Sequence, residues 1–526
     1  MRFCTLALVV FLFSNNLFGQ QNNPVAPPDV EQLVELARTL SHPRLQGREP
    51  GTAGGKAAAD FVESQMRLSG LLPAGDVFQQ ADGSQERGFF QHFEIIRTQT
   101  SYAELQLFDP LNKENSSFSL GWKTHFDLFP LQNSFQSTSE LVFAGYGAIS
   151  SDSSYNDFAD LQCHNKIVVV MLGLPGQSDT ASIAWQKTGK QLQIDGFNLK
   201  TQRMNAANYG ASALLVFDRR STSLPDSIAL QRLMLQLTGN DVVGYPDRDY
   251  WLATDATTPF IPLLVGNSAV ALALEAFMGM GFESIQHQIT STGKPFKVKL
   301  ENKKAALTVN VDNDTIIGQN ILALLKGTDT TQMLVVGGHY DHLGMRGDSI
   351  YTGADDNASG ASGAMALAQQ WAKSSLLPAQ NMLFACWDGE EKGLLGSSFF
   401  VQHIQQPNQK IKLYLNMDMI SRSAEEDVLK NILSIGMRRS DTALKNKTIK
   451  INQTQPSPFN LDLWEVDGHS GSDYGPFVQA GVPVMSFFSG FHHDYHSPRD
   501  TFDKMDFNKM KAVLQLVNDC LWFFEE

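Results

Sequence analysis

Short segments rich in histidine and carboxylate residues occur in the C-terminal half of the sequence. They are 338–342, 353–360, 388–391, Asp418 and 492–497. Three of them directly follow apolar runs of strand length, at 333–337, 381–387 and 411–417. Because parallel sheets place ligands just beyond the carboxyl ends of their strands, these segments are predicted to meet at one edge of a sheet.

The residue types in these segments indicate a site for divalent cations. Carboxylates that lie together resist ionisation unless a cation sits between them. Mixed imidazole and carboxylate ligands suit Zn²⁺ and related ions. Two ions about 3.5–4 Å apart need a shared carboxylate and two further ligands each, which makes five residues. The candidates are His339, Asp356, Glu391, Asp418 and His496.

Two further acidic residues adjoin these candidates. Glu390 precedes a predicted ligand and is placed to act as general base toward a water activated by the ions. Asp341, two residues after His339, is predicted to accept the second ring N–H of that histidine and so determine its tautomer. Each motif alone has a common structural explanation, such as a turn or a solvated helix start, and only their joint placement favours a site. The sequence contains no nucleophile elbow, phosphate-binding loop or HExxH motif.

Alternating strand-like and helix-like segments from about residue 291 predict an α/β fold. A mostly parallel central sheet covered by helices on both faces is expected. The predicted strands are 320–325, 333–337, 381–387, 411–417 and 482–488, and the predicted helices are 358–372, 393–405 and 507–524. Near the N-terminus, helices are expected from Asp29 to about Ser41 and from Lys56 to about Ser69, on either side of a loop at 47–55.

The region 101–290 has a different pattern of predicted strands and helices. Strand-like runs at 139–143, 166–172, 213–217 and 260–265 are mixed with helix-like stretches at 199–209 and 268–278. Histidine and acidic residues are not concentrated there. This region is therefore predicted to be a smaller inserted α+β domain without chemistry of its own.

Composition narrows the function further. The chain has 526 residues, 42% of them hydrophobic and 18% charged, which excludes a disordered protein. A formal net charge of −14 argues against binding nucleic acid or an anionic membrane surface through electrostatics. Four cysteines are too few for a disulfide scaffold.

The N-terminus has the layout of a secretory signal peptide over residues 1–21. Arg2 is followed by an apolar run at 6–13 and then by small and polar residues. That run is too short to span a bilayer, which needs about 20 apolar residues. The expected location is therefore secreted or periplasmic.

With these residues in view, the sequence resembles the M28 family of zinc peptidases. The segments that carry the resemblance are 338–344, 353–360, 387–397, 415–418 and 495–501. Residues 47–72 resemble the N-terminal segment of that family, so the catalytic unit is expected to be discontinuous. The insert resembles a protease-associated (PA) domain at 142–148, 166–173 and 210–217.

The resemblance implies roles for the candidate residues. His339 and Asp418 would bind one zinc ion, and Glu391 and His496 the other. Asp356, rather than the neighbouring Asp355, would bridge the two ions, and the bond after it would be a cis peptide. Glu390 would be the general base, and Co²⁺ or Mn²⁺ also suits this ligand set. Tyr495, next to His496, is either a donor to the oxyanion or a packing aromatic.

These observations together predict an exported metallo-exopeptidase that removes N-terminal amino acids from peptides. The alternatives are a carboxypeptidase, a dipeptidase or a glutaminyl cyclase on the same scaffold, and a non-catalytic binding protein. Arg422, Arg438 and Arg499 are candidates for holding a substrate carboxylate. The predicted organisation is a signal peptide at 1–21, peptidase parts at 22–100 and 291–526, and the PA-like insert at 101–290.

Overall fold

The computed structural model describes most of the chain. The described residues are 23–80, 82–111, 117–220, 224–238, 248–254, 261–296, 298, 300, 302–404, 410–468 and 471–525. The predicted signal peptide lies outside these ranges.

The helices and strands are numbered in chain order. The helices are α1 Val30–Leu40, α2 Ala53–Leu68, α3 Lys190–Ile194, α4 Leu199–Asn208, α5 Asp226–Thr238, α6 Ser268–Met278, α7 Phe282–Thr292, α8 Gly360–Lys373, α9 Leu395–Gln402, α10 Thr442–Gln453, α11 Tyr474–Gln479 and α12 Phe507–Glu525. The first strands are β1 Leu72–Pro73, β2 Val77–Gln79, β3 Gln85–Arg87, β4 Phe90–Phe108, β5 Ser117–Gly121, β6 Phe126–Leu128, β7 Phe135–Phe143, β8 Ile167–Met171, β9 Ala213–Phe217 and β10 Arg248–Leu252. The remaining strands are β11 Leu263–Gly266, β12 Lys304–Leu325, β13 Asp329–His339, β14 Gly344–Arg346, β15 Ser349–Tyr351, β16 Gln380–Trp387, β17 Lys410–Met417, β18 Ile432–Met437, β19 Asn460–Glu465 and β20 Val484–Phe488.

Two lobes share one continuous sheet. In the main lobe, which we define by β13, β16–β20 and helices α1, α2 and α8–α12, the strand order is β19-β18-β20-β17-β13-β16-β12. Strand β13 is parallel to β16 and β17, and β17 is parallel to β20. In the insert lobe, defined by β5–β11 and α3–α7, strands β7, β8, β9 and β11 are parallel neighbours. The predicted mostly parallel α/β sheet is confirmed.

Helices cover both faces of the main-lobe sheet, as predicted. Alternate residues of β13 point to opposite faces: Leu334 and Val336 pack in the cluster with α1, α8 and α12, whereas Met333 and Val335 pack in the cluster with α9 and α11. Among the described residues, no single helix has the length and apolar composition needed to cross a membrane. The helices α6 and α7 meet both conditions only when they are counted together, and this pair is bent by 90°.

The two long strands β4 and β12 were not predicted at their observed length. They pair antiparallel along nearly their whole extent and run through both lobes. The sequence shows an apolar run only at the C-terminal end of β12, because its middle section, around Asp312 and Asp314, is exposed and polar. The predicted boundary near residue 100 therefore falls inside β4, and the domain limits stay predictions.

Local sequence signals explain where the helices near the site begin. Asp29 caps α1 by accepting the Gln32 amide at 2.8 Å, as expected. Helix α2 begins at Ala53, earlier than predicted, because the Thr52 hydroxyl accepts the Gly55 amide at 3.1 Å. At the start of α8, a Cβ on Gly360 would lie 2.1 Å from the carbonyl oxygen of Met417, so only glycine permits this close approach to β17.

Candidate active site

Three predicted ligands form a first group at the strand ends. His339 is the last residue of β13, Asp418 follows β17, and Asp356 lies in the turn before α8. His339 Nε2 is 3.5 Å from Asp356 Oδ1 and 3.6 Å from Asp418 Oδ1. Ligand atoms bound tetrahedrally to zinc are about 3.3 Å apart. These three side chains are therefore spaced to hold one divalent cation.

The other two predicted ligands form a second group around the same aspartate. His496 Nε2 is 3.1 Å from Asp356 Oδ2 and 3.2 Å from Glu391 Oε2. Asp356 thus presents one carboxylate oxygen to each group, which is the arrangement a bridging ligand requires. The structure brings all five predicted ligands together.

His342 is a further imidazole in the second group to which the sequence interpretation gave no role. Its Nδ1 lies 2.7 Å from Glu391 Oε1 and 3.9 Å from Asp356 Oδ2, and its side chain is fully buried. The ring also makes an edge contact with His496. The signal was present in the sequence, because His342 stands three residues after His339.

The chemistry of this donor set fits cations. Asp356 Oδ2, Glu391 Oε1 and Asp418 Oδ1 are buried and accept no hydrogen bond of good geometry, although a histidine ring nitrogen lies 2.7–3.6 Å from each. Burying such oxygens unpaired is costly, and a bound cation would remove that cost. Burial by itself would raise the pKa of Glu391, but His496 and His342 outweigh it and hold that pKa well below its usual value.

Glu390 stands beside the first group and faces the same space. Its Oε2 lies 3.7 Å from His339 Nε2, and burial raises its pKa well above the ordinary value. It belongs to a tight turn between Gly389 (φ 71°) and Gly393 (φ 108°), both in the left-handed region that favours glycine. This turn points Glu390 and Glu391 toward the two groups.

Asp341 has a different contact from the predicted one. The backbone carbonyl of Asp341, not its carboxylate, is the nearest acceptor for His339 Nδ1, at 3.2 Å against 3.7 Å. The carboxylate instead accepts the backbone N–H groups of Glu390 and Glu391, at 3.0 and 3.3 Å. Asp341 therefore positions the ends of two strands at once, because it ties the β13 loop to the Glu390 turn.

Asp355 and Asp356 have separate surroundings although they are adjacent. The peptide bond from Asp356 to Asn357 is cis, as the resemblance implies. Asp355 turns away from the two groups, and its Oδ1 accepts the backbone and hydroxyl groups of Ser421, at 2.8 and 2.7 Å. Asp500, which the sequence interpretation did not single out, accepts the backbone N–H groups of both aspartates at 3.0 Å through Oδ2.

Arg48 is a second positioning residue that sequence reasoning missed. It is fully buried and donates to the carbonyls of Leu40, Tyr340, Thr352 and Gly353 at 2.6–2.9 Å. Burial lowers the pKa of Arg48 to about 10. The sequence placed it in a loop far from the motifs, and only the fold brings it beneath the loops that follow His339 and precede Asp356.

A cavity of about 420 Å³ opens beside both groups. Tyr495 lines it, with its ring stacked on His496 at 3.8 Å between centroids and in edge contact with Phe491. His339, Asp356, Glu390, Asp418 and His496 also line it. The described lining includes no lysine or arginine.

Comparison with known proteins agrees with this site. The family model described as Peptidase family M28 matches residues 320–521. Aminopeptidase Y of Saccharomyces cerevisiae is 26% identical over 229 residues, covering 41% of this chain and 40% of that protein. The glutamate carboxypeptidase 2 homolog of Caenorhabditis briggsae is 25% identical over 426 residues, covering 70% of this chain and 53% of that protein.

Among solved structures, an aminopeptidase from Aneurinibacillus sp. strain AM-1 has the same fold. The TM-score is 0.56 at 19% identity, with 94% of each chain covered. By contrast, this chain spans only a third to about half of the length of the curated relatives it matches.

Proposed function

We propose that this chain, whose residues 320–521 match the model of peptidase family M28, is a zinc-dependent aminopeptidase that releases N-terminal amino acids from peptides. One observation carries the proposal. The carboxylate of Glu390, whose side chain is 12% exposed, and two histidine–carboxylate groups sharing Asp356 face one cavity whose described lining has no lysine or arginine.

The donor set suits two zinc ions. His339 and Asp418 would hold one ion, Glu391 and His496 the other, and Asp356 both. When bound, such a pair supplies Lewis-acid chemistry that lowers the pKa of a water towards 7 and polarises a peptide carbonyl. Co²⁺ or Mn²⁺ also suits these ligands.

The side chains around the cavity account for the remaining steps. Glu390 accepts the proton of the attacking water as the water oxygen bonds to the carbonyl carbon. It then delivers this proton to the nitrogen of the leaving amine as the C–N bond breaks. The hydroxyl of Tyr495 donates a hydrogen bond to the oxyanion. Replacement of Tyr495 by Phe should lower kcat with little change in KM, whereas a packing aromatic would leave kcat unchanged.

Charge favours the aminopeptidase reaction over a carboxypeptidase reaction. A carboxypeptidase must hold the terminal carboxylate of its substrate, usually with arginine or lysine. The three candidate arginines have other partners: Arg422 pairs with Asp494 at 3.0 Å, Arg438 with Asp441 at 2.7 Å and Arg499 with Asp494 at 2.9 Å. None of them lines the cavity. The described lining therefore offers no side-chain cation that would hold a terminal carboxylate.

We also propose that residues 1–21 direct export and that the insert lobe is a PA-like domain. The first proposal is supported by the apolar run after Arg2. N-terminal sequencing of protein recovered from the culture medium or periplasm tests it. Recovery with Met1 still attached would contradict it.

The test of activity compares matched peptides with free, N-acetylated and C-amidated termini, before and after chelation and with zinc added back. Chelator-sensitive release of the first residue from free N-termini, unaffected by C-amidation, is expected. Hydrolysis of N-acetylated peptides that requires a free C-terminus would support a carboxypeptidase. Zinc-loaded protein that cleaves nothing would favour a binding protein. A count of bound zinc separates the two-ion proposal from a one-zinc glutaminyl cyclase.

A further inference from the structure

A row of residues crosses the cavity from the first metal group to the outer strand of the sheet. The last pair of β17 with β20 is Met417 with Phe487, so the next residues, Asp418 and Phe488, lie side by side. The Asp418 amide donates to the carbonyl of Phe487 at 3.1 Å. Phe488 is paired with Ser434 of β18, which is paired with Asp462 of β19. All four residues line the cavity. Because strands lie about 4.8 Å apart, the row is about 14 Å long.

The walls along this row are mainly aromatic. Trp464, Tyr474, Phe488 and Phe491 line the same cavity as Asp418 and Asp462. Tyr474 is buried, whereas Phe491 is 60% exposed at the mouth. Such a channel accommodates a long aliphatic stem whose polar tip reaches water, as lysine and arginine side chains require.

A carboxylate stands at the outer end of this channel. Asp462 accepts the hydroxyl of Ser434 at 2.9 Å, and among the described residues it takes part in no ion pair. The described lining contains no lysine or arginine that would neutralise it. The carboxylate of Asp462 is therefore available to a cation that a substrate brings into the cavity.

We propose that the cavity receives the side chain of the substrate's N-terminal residue and that Asp462 makes lysine and arginine preferred over uncharged side chains of similar length. This inference rests on the proposed aminopeptidase activity and names its substrate class. Asp462 is exposed to solvent, so its contribution is moderate. An ion pair of this kind corresponds to a preference of about two- to fivefold in kcat/KM.

The experiment uses the zinc-loaded full chain and Lys, Arg, norleucine and Leu derivatives that carry one common chromogenic leaving group. The wild type should cleave the Lys and Arg derivatives about two- to fivefold better than norleucine, chiefly through KM. Asp462→Asn should remove this preference without lowering kcat for norleucine. The matched control is Glu465→Gln, which removes a carboxylate of the same strand that does not line the cavity.

The outcomes separate this inference from the proposed function. An unchanged Lys-to-norleucine ratio in Asp462→Asn overturns the inference and leaves the aminopeptidase proposal intact. Dipeptides with Lys at the first or the second position provide a further test. If Asp462→Asn changes cleavage only of those with Lys at the second position, the inference is also overturned, because the cavity would then receive a different residue. If the wild type cleaves none of the derivatives, the aminopeptidase proposal itself fails. Rising ionic strength should weaken a genuine preference.

Discussion

Both lobes end their parallel strands at a cavity, but the residues that follow those strands differ. In the main lobe, β13 ends in His339 and β17 is followed by Asp418, which together with Asp356 form a group that can hold a cation. In the insert lobe, β9 is followed by Asp218, which pairs with Arg220, and β11 by Asn267, which caps α6. The insert cavity is about 510 Å³, larger than the one beside the metal groups.

The two lobes show that the edge of a parallel sheet provides the cavity, whereas the side chains at that edge determine the chemistry. Among the described residues, the groups with metal-ligand spacing all lie in the main lobe. Cavity size therefore does not identify the reactive lobe. The residue types at the strand ends do.

The lobes nevertheless meet beside the catalytic turn. Lys392, next to Glu391, pairs with Glu49 at 3.0 Å and lies over the ring of Tyr250, 5.1 Å from its centroid. Tyr250 belongs to β10 of the insert lobe, and its hydroxyl donates to Glu49 at 3.3 Å. The insert thus contacts the main-lobe turn that carries Glu390 and Glu391.

This contrast between the lobes is tested directly by neutralising, in each lobe, a carboxylate that follows a strand. Glu390→Gln should lower kcat by about 10²- to 10⁴-fold, because the water loses its proton acceptor. Bound zinc, measured by elemental analysis, should not change. Asp218→Asn in the insert lobe should leave kcat on a small substrate within about twofold of the wild type, as expected for a residue away from the reacting atoms. Wild-type turnover by Glu390→Gln would end the assignment of the base.

A second comparison concerns one arginine at the site and one on the strands that connect the lobes. Arg48→Met leaves four carbonyls without their donor and should lower the free energy of unfolding by about 3 kcal/mol or more. Arg97, which pairs with Asp314 across β4 and β12, is more exposed, and Arg97→Met should cost less than about 1 kcal/mol. Urea unfolding measures both. Equal losses would mean that the hydrogen bonds of Arg48 do not stabilise the loops around the site.

The contact between the lobes predicts an effect on metal affinity. Lys392→Met removes the cation that holds Glu49 and the turn bearing Glu391, and should weaken zinc binding by about tenfold. Competition with a chelating dye measures this affinity. Lys123→Met, which breaks the Lys123–Asp127 pair inside the insert lobe, is the control and should not change it. Unaltered affinity in the Lys392 variant would show that the turn holds its shape without this pair.

The smallest effect concerns a buried carboxylate of the insert lobe. Burial raises the pKa of Asp157 to about 7, although it accepts the backbone N–H groups of Tyr146 and Ala148. The folded chain therefore binds more protons than the unfolded chain between about pH 4 and pH 7, and the free energy of unfolding falls as pH rises through that window.

Asp157→Asn should flatten this pH dependence, measured by urea unfolding followed by fluorescence. Asp152→Asn is the control, because hydrogen bonds from Ser150 and Ser154 lower the pKa of Asp152 to about 2, outside the window. A slope that persists in Asp157→Asn would assign it to other groups.

Sequence patterns located the elements that carry strong apolar periodicity. Strand β9 and helix α6 have the predicted bounds, and α12 differs from its predicted range by one residue. The patterns missed β18 and β19, because their residues are mixed in polarity and β19 is half-exposed. That omission matters, since these two strands build the outer half of the cavity with Ser434 and Asp462.

The amino-acid sequence is enough to identify the residue types that follow the strands, and it therefore predicts that five candidate ligands and Glu390 meet at one edge of the sheet. Which atoms come into contact at that edge depends on the tertiary structure. It placed the backbone rather than the carboxylate of Asp341 against His339, brought Arg48 and Asp500 beneath the loops, and aligned Asp418 with Asp462 in one row. These contacts depend on the hydrogen-bond register between strands far apart in the chain, and the mixed polarity of β18 and β19 specifies that register only weakly in the sequence.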